Sequence, residues 1–171
     1  MNELIQAFVD IARWRKGPED LPASRFLLTT TLGGYVLASI ATVLFYANGV
    51  ADLFAQVMLD VALMFGFFGL LLVFYRKTPR FEQTMTALLG TGILLTIVAL
   101  PLIAWLRFES AETTTSIPAL LMFLVVLWSI SITGHIMRRA LEIPFAGGVV
   151  MAVGYFLLSV FAFARLFSAE S

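Results

Sequence analysis

Apolar residues fill this chain in five long blocks separated by short polar breaks, at about residues 26–47, 53–75, 84–106, 117–137 and 144–167. Block 53–75 is the cleanest. At roughly 1.5 Å rise per residue, about 23 helical residues give about 35 Å, enough to cross a bilayer core of about 30 Å. A single carboxylate, Asp60, interrupts it, and Arg76, Lys77, Pro79 and Arg80 close it. Ahead of the blocks the period shortens. Leu4, Ile5, Phe8, Ile11 and Ala12 recur at helical spacing, with Glu3, Gln6, Asp10 and Arg13 on the other face. That pattern predicts a short amphipathic helix over residues 2–14. Trp14, Arg15 and Lys16 after it suit a headgroup region. Two placements fit this helix: packed under the bundle, or lying on the lipid surface. It lacks the basic start and continuous apolar core of a signal peptide.

The breaks carry turn chemistry. Gly17-Pro18-Glu19-Asp20-Leu21-Pro22 stops a helix twice and predicts a short, stiff connector. Ser24 is placed to cap the first span. Asn48-Gly49 makes the turn out of that span, and Asp52 starts the way back. Pro101, inside the third span, predicts a kink or unwinding near residues 97–100. Residues 107–116, with Glu109, Glu112 and three consecutive threonines, form the longest loop on the far side. Pro118 and Pro144 mark the starts of spans four and five. Small residues four apart (Gly34 and Ala38, Ala38 and Thr42, Ala62 and Gly66, Gly148 and Ala152) let helices approach closely. In span two, Gly69 follows Ala62 and Gly66 one turn later, and the strip predicts a contact face for a neighbouring helix. The organisation expected is a segment 1–25 of helix and connector, a five-helix membrane domain over 26–167, and a tail of 168–171.

Composition agrees with the pattern. Of 171 residues, 60% are hydrophobic and 13% charged, with a mean hydropathy of +0.95. A water-soluble domain is nearer half apolar and a quarter charged. The fold class expected is therefore an all-α integral membrane protein, five transmembrane helices preceded by a short amphipathic interfacial helix. Zero net charge gives no electrostatic case for nucleic acid. The absence of cysteine excludes disulfides and thiolate chemistry, and one histidine excludes a His-rich metal site. No cofactor is expected.

With the N-terminus cytoplasmic, Arg13, Arg15, Lys16, Arg25, Arg76, Lys77, Arg80, Arg138 and Arg139 fall on the cytoplasmic side. Arg107 and Arg165 fall on the other. Nine against two is a strong positive-inside bias, and five spans then put the C-terminus outside. The localisation expected is an inner membrane with a periplasmic tail. The basic clusters also suit anionic lipid headgroups.

Few residues bear candidate chemistry. Asp60 within a span needs a partner, since an ionised carboxylate in lipid is costly. Arg165, or Arg107, stands at a comparable depth, and the pair expected is Asp60 with Arg165. Such a pair serves a proton or cation relay in one reading and fixes helix order in the other. His135, near the end of span four, reads either as a pH-sensitive switch or as an interhelical hydrogen bond. Thr29, Thr30, Thr31, Ser129, Ser131 and Thr133 read as interhelical hydrogen bonders or as groups satisfied on their own helices. No Ser/His/Asp arrangement, phosphate loop or dinucleotide fingerprint is present, so no enzyme is expected.

Pro79-Arg80-Phe81-Glu82-Gln83-Thr84, leading into residues 87–92, resembles the segment that opens the third span in the Yip1 family of five-span membrane proteins. Asp20-Leu21-Pro22 is similar to that family's Asp-Leu-Tyr-Gly-Pro stretch, without its Tyr and Gly. The resemblance implies a membrane-organising or partner-binding role. The leading expectation is thus a protein that binds lipids, other membrane proteins or itself. The alternative is a small transporter or channel subunit, with Asp60, Arg107, Arg165 and the Pro101 kink along a polar pathway.

Overall fold

The computed structural model describes residues 2–45, 49–108 and 116–167. These residues are all-α: a short helix α1 (Asn2–Ala12), then α2 (Arg25–Val43), α3 (Val50–Phe74), α4 (Phe81–Phe108), α5 (Ile117–Leu141) and α6 (Phe145–Phe167). Single 3₁₀ turns, Pro18–Asp20 and Thr78–Arg80, lead into α2 and α4. The five long helices have mean hydropathies from 1.6 to 2.5, and each is long and apolar enough to cross a bilayer. The chain is a multi-pass membrane protein. Phe26, Phe74 and Phe108 are 80–85% exposed, a surface suited to lipid and not to water. Asn48, Glu109, Glu112, the threonines at 113–115 and the tail 168–171 lie outside the described residues.

Successive long helices alternate in direction, so the bundle has a basic end, carrying Arg25, Arg80, Arg138 and Arg139, and a far end. The expected N-cap at Ser24 is present; its Oγ accepts from the Leu27 amide at 3.4 Å. On α3 the buried stripe is Leu53, Val57, Met64, Phe68 and Leu72. Asp60 occupies the one gap in that helical spacing. The expected contact strip at Ala62 and Gly66 is instead exposed, and a Cβ at Gly66 would meet nothing within 4 Å. The bulky stripe decided which face turned inward. Only Gly69 touches a neighbour, the Phe81 ring.

The tightest crossing joins α5 to α6. A Cβ on Gly148 would lie 2.2 Å from the Gly134 carbonyl oxygen, so backbone packs on backbone there. Helix α4 is central. Its 28 residues span about 42 Å, longer than a bilayer core. Its first turns, from Thr84 to Thr91, are buried throughout. Of the expected kink or unwinding at 97–100, unwinding does not occur: α4 is helical throughout and runs past Pro101, which is exposed. Pro101 borders a shallow groove with Ala41 of α2 and with Leu44 and Phe45 just beyond its end.

What covers the start of α4 is the N-terminal segment. Ala7, Ile11 and Ala12 are buried, and the Phe8 ring fills the notch at Gly90, within 2.5 Å of where a Cβ would stand. Three bundle side chains hold the carbonyls at and beyond the end of α1. Trp128 Nε1 donates to Ala12 O at 3.2 Å. His135 Nε2 lies 2.9 Å from Lys16 O, and Gln83 Nε2 donates to Leu21 O at 2.6 Å. Of the two placements for α1, the packed one is found. The connector is likewise docked, with Pro18 and Leu21 buried.

Candidate functional site

Between the long helices, near mid-height, lies a cavity of about 240 Å³ to which all five contribute. Asp60 is fourteen residues from the end of α3, about 21 Å from the basic end at 1.5 Å per residue. The inward stripe of α3 turns it into this space. From α2, Tyr35 donates its hydroxyl to Asp60 Oδ2 at 2.7 Å. Tyr35 is held by α4, where Gly92 leaves room for its ring; a Cβ there would lie 2.7 Å from Tyr35 Cε2. Thr91 of α4, Ser129 and Thr133 of α5, and Ser159 of α6 complete the polar lining. Met64, Phe68, Leu88, Leu95, Tyr155 and Phe156 supply apolar and aromatic wall.

The hydrogen bonds fix what this lining offers. Thr91 Oγ1 donates to Ala87 O at 2.7 Å and Leu88 O at 3.2 Å. Ser159 Oγ donates to Tyr155 O at 3.0 Å. With the Tyr35 proton given to Asp60, these three hydroxyls have only lone pairs left for the cavity. Among the described residues Tyr35 is the sole hydrogen-bond partner of Asp60, so Oδ1 is uncommitted. The aromatic wall is ordered: the Phe68 and Tyr155 rings stand 4.8 Å apart at 44°, and Phe67 backs both at 5.2 and 5.6 Å. Towards the basic end, Met85, Leu89, Ile132 and Ile136 are at most 1% exposed. That layer separates the cavity from the basic face.

The expected Asp60–Arg165 pair is not formed. Arg165 is exposed and its guanidinium lies over the Phe161 ring, 5.2 Å from the centroid. Arg107 is exposed at the far end of α4. Among the described residues no cation lies within 4.0 Å of Asp60. The cause is height. Helix α3 begins at Val50, a turn earlier than expected, so Asp60 is deeper than either arginine. Pro101 lies outside the cavity too.

His135 is buried, and a carbonyl only accepts, so its Nε2 carries a proton towards Lys16 O. It is part of the clasp on the N-terminal segment. The threonines of α2 bond back to their own helix, Thr31 Oγ1 to Leu27 O at 2.8 Å for example. No cluster of three metal-binding side chains occurs among the described residues.

The basic residues divide into two sets. Arg80 donates to Arg139 O at 3.0 Å and to Ala140 O at 3.3 Å, and pairs with Glu142. Lys77 also pairs with Glu142. Hydrogen bonds from Lys77 and then Arg80 hold the Glu142 carboxyl below the usual range for glutamate. Arg139 meets Glu19 at 2.6 Å, Lys16 meets Asp10 at 3.5 Å, and Arg25 meets Glu82 at 3.3 Å. These contacts bind the connector and loops into one plate. Arg13, Arg15, Arg76 and Arg138 are exposed on it.

Sequence reasoning singled out Asp60, Ser129 and Thr133 but not Tyr35, Thr91, Tyr155 or Ser159. No family model, curated protein or solved structure matches this chain.

Proposed function

We propose that this protein binds a small hydrogen-bonding solute in the cavity beside Asp60 and exchanges it with one side of an inner membrane. The observation that carries this reading is a mid-membrane carboxylate with one oxygen uncommitted, facing a space walled by all five spans. Buried ionisable groups in spans are expensive, and they mark ligand or ion sites by default. The packed layer towards the basic end favours a one-sided pocket over a channel. The excess of basic residues at that end orients it to the cytoplasm, so the N-terminus is cytoplasmic, the C-terminus is outside and the pocket is served from the far side.

A second reading, a partner- or lipid-binding organiser of the Yip1 type, draws on the basic plate and the exposed Arg13, Arg15, Arg76 and Arg138. The two readings separate in one experiment. The chain has no cysteine, so Ser129→Cys supplies a single thiol on the cavity wall. In oriented vesicles a small water-soluble methanethiosulfonate should modify it from the far side only. Modification from both sides would mean a channel, and inertness to both would leave the organiser.

A further inference from the structure

We infer that the pocket beside Asp60 takes a small alkylammonium ion, its charge on the uncommitted carboxylate oxygen and its carbons against Phe68, Tyr155 and Phe156. This rests on the pocket reading above and names the class of solute. Three independent features converge on it.

The first is charge. Tyr35 gives Asp60 a hydrogen bond but no counter-charge. Arg165 is turned onto Phe161, and Arg107 is exposed at the end of its helix. A carboxylate at this depth needs a cation or a proton from elsewhere. The second is hydrogen-bonding polarity. The protons of Thr91 and Ser159 are spent on their own helices and that of Tyr35 on Asp60, so this part of the lining accepts and does not donate. An ammonium group is donor-only and complements it. The third is shape. Phe68 and Tyr155 form a tilted aromatic pair at 4.8 Å on the cavity wall with Phe156, apolar surface that a short alkyl chain can cover. The cavity, at about 240 Å³, matches the liquid volume of roughly eight waters. That is room for a short aliphatic amine. A hard divalent metal ion would need about six oxygen ligands, and a single carboxylate among hydroxyls and aromatic rings is a poor cage for it.

The test uses the full chain in nanodiscs with n-butylammonium as probe and n-pentanol as its neutral counterpart. n-Butylammonium should raise the melting temperature in a saturable way, and n-pentanol should not. Asp60→Asn keeps the shape and an oxygen for Tyr35, and should weaken n-butylammonium binding at least tenfold. If that variant misfolds, protection replaces it: n-butylammonium should slow modification of Ser129→Cys at least fivefold in an otherwise unchanged chain. Equal binding of n-pentanol, or modification that neither compound slows, would overturn the ammonium assignment and leave the pocket standing. A Ser129→Cys thiol inert from both sides would remove the pocket and the assignment together.

Discussion

Tyr35 and Asp60 stand equally far along the chain from the turn between α2 and α3, and an antiparallel hairpin brings such residues to one height. That mirror relation was legible in the sequence, but a tyrosine in an apolar run carries no charge to draw the eye. Arginine did, and charge alone pointed the wrong way, because Arg165 lies near the end of α6 and faces out. If the 2.7 Å contact is what holds Asp60 in place, Tyr35→Phe should lower stability by about 1.5–3 kcal/mol, the range for a lost hydrogen bond to a charged group. In an Asp60→Ala background, where no acceptor remains for the hydroxyl, the same change should be nearly neutral. A double-mutant cycle by denaturant titration in mixed micelles measures this coupling; strictly additive effects would mean the two side chains do not interact.

The elements themselves were well signalled, since five apolar runs bounded by Pro, Ser and basic residues admit little else. Which face of each helix turns inward was less so. Small-residue spacing occurs on α3 and on α6, yet only α6 uses it in a close crossing. On α3 the larger apolar stripe with Met64 and Phe68 won the inner face, because it buries more area. Pro101 shows the same limit: α4 stays helical past it, although the missing amide allowed unwinding as well as a kink. The contrast between glycines gives a paired prediction. Gly148→Ala would drive a methyl to 2.2 Å from the Gly134 carbonyl, forcing α5 and α6 apart, and should destabilise by about 2–4 kcal/mol. Gly66→Ala meets no atom within 4 Å and should be neutral or stabilising by up to about 1 kcal/mol, since alanine is the better helix former. Thermal unfolding of the two variants side by side checks the assignment of faces.

At the scale of the whole molecule, the core lies towards the basic end, and the N-terminal segment is part of it. Hydrophobic periodicity over residues 2–14 located a helix but left its placement open, because an apolar face suits lipid and protein equally. The deciding contacts are polar ones from over a hundred residues away. Trp128 and His135 hold the Ala12 and Lys16 carbonyls, and no local pattern announces them. Deleting residues 2–16 would strip Phe8 from Gly90, remove the fully buried Ile11 and leave two ring N–H groups without acceptors. Losing Ile11 burial alone is worth about 1.5–3 kcal/mol, and each lost hydrogen bond adds about 0.5–1.5 kcal/mol. The five spans keep their hydropathy, so insertion and orientation should survive, as terminal reporter fusions would record. The melting temperature should fall by many degrees. The first turns of α4, with Thr84 to Thr91 uncovered, should become open to hydrogen exchange. A helix that merely rested on lipid would leave the melting temperature and the exchange pattern of α4 as they were, so an unchanged thermogram would place α1 outside the fold.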